Sequence, residues 1–66
     1  MRLTDFWGRL EQVFGAGYAA SVATDQVLTT LNGRTIEQAL AEGVEVATVW
    51  RAVVGTYPER VPLRLR

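Results

Sequence analysis

A chain of 66 residues bounds one small domain, near the lower size at which a hydrophobic core sustains itself. Apolar residues make up 48% of it, which argues against disorder, and seven arginines balance seven acids to a formal net charge of zero, whereas a dedicated nucleic-acid binder carries a basic excess. Cys and His are both absent, which excludes disulfides, zinc sites and the common nucleophile–base pairs, so the expectation is a protein with no metal, no cofactor and no enzymatic activity.

No apolar run approaches membrane-spanning length, and the N-terminus lacks the apolar stretch of a signal peptide. The expected setting is the cytoplasm, without a membrane partner. Arginine supplies every cation and lysine none, a usage that suggests a GC-rich genome.

Leu3, Phe6, Trp7, Leu10, Val13 and Phe14 form a helical stripe and predict a first helix over residues 4–14, with Thr4 as N-cap and Asp5 in the first turn. Gly8 weakens it by about 1 kcal/mol relative to Ala. Phe6 and Trp7 can be read as an aromatic patch for a partner, but in so small a domain core comes first. Gly15-Ala16-Gly17 reads as a hinge. It lacks the preceding strand and the following Lys-Ser/Thr of a phosphate loop.

A second and longer helix is predicted over residues 17–31. Ala20, Ala23, Thr24, Val27 and Leu31 line one face with Leu28 at its margin, while Tyr18 and Val22 lie opposite. Two apolar faces make this the expected central helix. Asp25 is its one charge, expected in an ion pair with Arg34 or Arg51 rather than in recognition or catalysis.

The stretch over residues 33–54 organises the chain. After the turn dipeptide Asn32-Gly33, Thr35 and Gln38 complete a capping box, and Ile36, Ala39 and Leu40 fall on one face of a helix over residues 35–42 that Gly43 ends. Val46, Val49, Trp50, Val53 and Tyr57 stripe a last helix over residues 46–56, which Pro58 stops. Ala39, Gly43 and Val49 stand where DNA-binding helix-turn-helix units need a small residue, a turn glycine and a buried aliphatic. Gly43-Val44 with Thr48-Val49-x-Arg51 resembles the same part of lactose-repressor-type regulators. Tight helical corners that never meet DNA satisfy the same rule. The predicted fold is all-α, a domain of four helices over residues 1–57 with a helix-turn-helix-like corner in the last two, followed by a basic C-terminal tail over 58–66. That tail carries Arg60, Arg64 and Arg66. It reads as a frayed end, as an arm for a partner or for phosphate, or as a segment whose Val61, Leu63 and Leu65 dock on the domain itself.

Taken together, Leu3-Thr4-x-Phe6-Trp7-x-Arg9, Phe14-Gly15-x-x-Tyr18-Ala19-x-Ser21, Asp25-x-Val27-Leu28, Gly33-Arg34-Thr35, Ala39-Leu40 and Val49-Trp50-Arg51-Ala52-Val53 resemble a family of very short actinobacterial proteins of unknown function. The resemblance covers nearly the whole chain up to Val54, where members often carry Cys. It implies a gene neighbourhood beside the RecA recombinase and its RecX regulator, and no catalytic residues.

Two functions follow as expectations. The first is a regulatory adaptor that binds an unidentified protein through Trp50, Arg51, Arg64 and Arg66, since Trp and Arg are enriched at binding hot spots. Trp50 sits at the edge of the last helix's apolar stripe, so at least partial burial is expected of it. The second is weak or accessory DNA binding, in which Val46, Ala47 and Arg51 reach base edges and Arg34, Thr48 and the tail arginines reach phosphate. Only Arg51 among these can read guanine by bidentate bonding.

Overall fold

The computed structural model describes residues 1–66. Helix α1 spans Leu3–Phe14 and starts slightly earlier than expected, so Thr4 lies inside it instead of capping it. Asp5 instead secures the start, its Oδ2 accepting from the Arg2 backbone N–H at 3.3 Å. Phe6, Leu10 and Phe14 point into the core, Trp7 and Val13 are half-buried, and Leu3 is exposed. Gly15 ends the helix at φ 94°, a left-handed value that glycine takes without a Cβ penalty.

The long second helix does not form. Helix α2 covers only Ala19–Asp25, and the chain then turns extended at Gln26. Strand β1 (Val27–Leu28) pairs antiparallel with β2 (Arg34–Thr35), and a 3₁₀ turn over Thr29–Leu31 lies between them. Val27, Thr29 and Thr30 are β-branched and stiff at χ1, a poor helix run. Asn32 (φ 56°) and Gly33 (φ 79°) then close the hairpin with a hydrogen bond from Gly33 N–H to the Leu28 carbonyl at 3.1 Å. The domain is thus mostly helical, with the four helices expected and a small two-strand hairpin between the second and the third.

The expected faces change accordingly. Ala19, Val22 and Ala23 are buried, while Ala20, Thr24 and Val27 are exposed. Asp25 forms no ion pair; it accepts a hydrogen bond from Thr24 Oγ1, and Arg34 pairs with Glu42 instead.

The corner forms as its sequence dictates. Thr35 Oγ1 accepts from Gln38 N–H at 3.1 Å and Gln38 Oε1 accepts from Thr35 N–H at 2.9 Å, a reciprocal capping box at the start of α3 (Ile36–Ala41). Val44 N–H reaches back to the Ala39 carbonyl and Gly43 N–H to the Leu40 carbonyl, the paired bonds of a Schellman motif with Gly43 at φ 88°. Helix α4 (Val46–Thr56) follows.

This last helix, rather than α2, is the central one. Val49, Trp50, Ala52 and Val53 are buried, and of its remaining residues only Arg51 and Gly55 are exposed. The Trp50 ring meets Phe6 edge-on at 5.8 Å, a favourable quadrupolar arrangement. On another side Thr30 Oγ1 donates to the Ala52 carbonyl at 3.2 Å and contacts Thr56 Oγ1 at 2.9 Å, tying the 3₁₀ turn to α4.

The C-terminal segment closes the remaining side. Its 3₁₀ turn, Leu63–Leu65, lies against α1 and α4, with Val61 and Leu65 buried and Leu63 83% exposed. Trp50 Nε1 donates to the Leu65 carbonyl at 2.9 Å, which satisfies an indole N–H otherwise costly to bury. Arg9 makes a long 3.5 Å contact to the same carbonyl and sits over the Trp50 ring. Arg64 donates to Gln12 Oε1 at 3.0 Å, and the Arg66 guanidinium donates to the carbonyls of Val61 and Pro58. No helix is long and apolar enough to cross a membrane.

Candidate functional site

Charge is distributed unevenly along the neutral chain. Residues 17–57 hold Arg34 and Arg51 against Asp25, Glu37, Glu42 and Glu45, a balance of two cations to four acids. Residues 58–66 hold Arg60, Arg64 and Arg66 against Glu59, three cations to one acid. The fold therefore joins an acidic corner to a basic C-terminal face.

At the corner, the groups expected near DNA lie on and beside the first turns of α4. Val46, Ala47 and Thr48 are half-buried, and Arg51 is exposed with Nη2 donating to Thr48 Oγ1 at 3.1 Å. Arg34 is not free: its Nε donates to Glu42 Oε1 at 2.6 Å and its Nη1 to the Leu31 carbonyl at 3.3 Å. Exposed Glu42 and Glu45 flank the turn, and Glu37, also exposed, lies in the first turn of α3. The two carboxylates at the turn oppose a phosphate backbone, and Arg34 offsets only one of them, Glu42.

At the C-terminal face, Trp50 lies directly beneath the segment that carries Arg64 and Arg66. Its ring is 2% exposed and covered by Leu65, so it presents no contact surface. Arg64 and Arg66 are exposed, and their guanidinium groups hold the segment to α1 and to itself. Between Arg64 and α1 runs a shallow cleft walled by Thr4, Asp5, Arg9 and Gln12. Leu63 projects from the same turn.

A third surface escaped sequence reasoning. Three helix ends bring Phe14, Tyr18 and Tyr57 together around a small cleft, with Val22 on its floor and Gln26 and Arg60 at its rim. Phe14 and Tyr57 meet edge-on at 5.1 Å, and the Arg60 guanidinium lies 4.9 Å above the Phe14 ring, within cation–π range. Tyr18 is 58% exposed. The available signal was the second apolar face of Tyr18 and Val22, of which the fold buries Val22 and leaves Tyr18 in solvent. No three acidic side chains are placed to hold a metal ion together.

Residues 1–64 match the family model described as protein of unknown function, DUF3046, and the chain belongs to that family. A search of curated proteins found no match, and a search of solved structures found none.

Proposed function

We propose that this member of the family is a non-enzymatic, cytoplasmic interaction module that docks a protein partner on its basic C-terminal face. The observation that carries the reading is Leu63, 83% exposed beside Arg64 on a segment that buried Val61 and Leu65 hold firmly in place. A large apolar side chain held in solvent next to a guanidinium offers a partner apolar area to bury beside a charge, and its pre-ordered backbone lowers the entropic cost of association. Arg66, also exposed, extends the cationic surface. The resemblance to proteins encoded beside a recombinase and its regulator makes DNA repair the first process in which to seek the partner.

The test is affinity capture from lysate on the immobilised full chain, compared with a Leu63→Ser/Arg64→Ala variant whose circular dichroism matches the parent. A partner retained by the parent and lost by the variant is the expected result. Equal retention by both would move the interface elsewhere.

A second reading, an accessory DNA-binding corner, draws on Arg51 and Thr48, which present a guanidinium and a hydroxyl outward from the first turns of α4. The acidic turn opposes it. Anisotropy of a labelled random duplex at low salt is expected to stay flat. A rise that weakens log-linearly with salt and disappears in Arg51→Ala would favour this reading over the first.

A further inference from the structure

Six of the seven guanidinium groups lie either at the N-terminal end of the chain or in hydrogen bonds. Arg9, Arg34, Arg51, Arg64 and Arg66 each donate to a carbonyl, a carboxylate, an amide or a hydroxyl of the protein, and Arg2 precedes the first helix. Arg60 differs from all of them. Its guanidinium makes no hydrogen bond or ion pair within the fold, yet it is positioned by its place above the Phe14 ring. With its carbon 4.9 Å over the ring and no acceptor taken up by its N–H groups within the fold, the guanidinium keeps its donors for a carboxylate, which it can receive bidentately.

What surrounds Arg60 completes a recognition surface. The cleft floor is apolar, built from Phe14 and Val22, and its walls are the rings of Tyr18 and Tyr57. Neither tyrosine hydroxyl nor the Gln26 amide has a partner in the fold, so the rim offers further donors and acceptors around an apolar centre. Tyrosine and arginine around a small apolar floor match the residue types enriched among those that dominate binding energy at interfaces. The cation sits on one side only, so the fitting ligand is itself two-ended, an apolar side chain next to a carboxylate.

We infer that the cleft formed by Phe14, Tyr18, Tyr57 and Arg60 binds an acidic peptide segment, with a carboxylate on the Arg60 guanidinium and the neighbouring apolar side chain on the aromatic floor. The inference rests on the interaction-module reading and names the chemistry of the partner. The cleft also shares Arg60 with the basic C-terminal segment, so an acidic partner meets favourable charge across both.

The test is a titration of the isotope-labelled full chain with a doubly capped Gly-Leu-Asp-Leu-Gly peptide, followed by amide shifts, with Gly-Leu-Asn-Leu-Gly as control. Saturable shifts are expected at Phe14, Tyr18, Gln26, Tyr57 and Arg60. The asparagine peptide and the Arg60→Ala protein are each expected to bind roughly tenfold more weakly or worse, the effect of losing a charge-assisted bond. Tyr18→Ser provides a second variant that cannot collapse the core, because that ring is largely in solvent, and it should weaken binding in the same direction. Absent or unsaturable shifts at the cleft, or equal binding of the two peptides, would overturn the inference. So would the same cleft shifts on titration with random duplex DNA, which would mark a general anion surface. A lysate partner still captured by Arg60→Ala, with no peptide shifts in the parent, would remove the cleft and leave the interaction module standing.

Discussion

The α3–α4 corner and the C-terminal segment are both held by a few hydrogen bonds, but the bonds differ in reach. At the corner, Thr35 meets Gln38 three residues on, and Val44 closes on Ala39. In the C-terminal segment, Leu65 is bonded by Trp50 across 15 residues and approached by Arg9 across 56. Local bonds form from sequence and need little else, whereas distant ones exist only once the core has assembled. The corner should therefore respond to substitution in small, separable steps, and the C-terminal segment as a unit with the core beneath it.

Removing residues 58–66 is the harshest test of that difference. It strips Val61 and Leu65 from the core and leaves the Trp50 N–H without its acceptor. At about 1.5–3 kcal/mol for each buried side chain and about 1–3 for the orphaned donor, the loss is a large part of the roughly 5–15 kcal/mol that holds a domain. Urea denaturation is expected to show a truncated chain largely unfolded in water; a midpoint within error of the parent would mean the segment is ornamental. Leu65→Ala keeps the backbone carbonyl and should cost about 2–3 kcal/mol, which the same titration resolves. A cost below about 0.5 would place the stabilisation in the hydrogen bond rather than in the side chain.

At the corner the expected effects are smaller. Gly43→Ala forces a Cβ onto a left-handed backbone and should cost about 1 kcal/mol or somewhat more, seen as a lower thermal midpoint with an unchanged cooperative transition. Thr35→Ala removes one half of the capping box and should cost about 1 kcal/mol. Arg34→Ala breaks the Arg34–Glu42 pair, whose side chains are 40% and 53% exposed, so screening leaves at most about 0.5 kcal/mol. If Thr35→Ala proved as damaging as Leu65→Ala, the contrast between the two regions would fail.

The same contrast explains what could be read in advance. Thr35, Gln38 and Gly43 announce a capped helix and its stop within eight or nine residues of chain, and α3 and α4 stand close to where they were expected. Residues 17–31 misled because Ala20, Thr24 and Val27 match a helical period by spacing, while the β-branched run beginning at Val27 and the Asn32-Gly33 turn set a hairpin. Period outweighed turn chemistry in that reading, and the fold resolves the competition the other way. Docking of Val61 and Leu65 was one of three readings of the tail, and nothing local could choose among them. The acceptor for the Trp50 indole lies in the tail, and the cleft at Arg60 depends on helix ends that meet only in three dimensions.

The bond from Trp50 to the Leu65 carbonyl also makes the molecule report on itself. Only two indoles are present, and Trp7 is half-buried on α1 while Trp50 lies beneath the C-terminal turn. Loosening of that turn admits water to one chromophore and leaves the other nearly untouched. A red shift in intrinsic emission would then follow detachment of the segment in unlabelled protein, and a Trp7→Phe variant would isolate the signal.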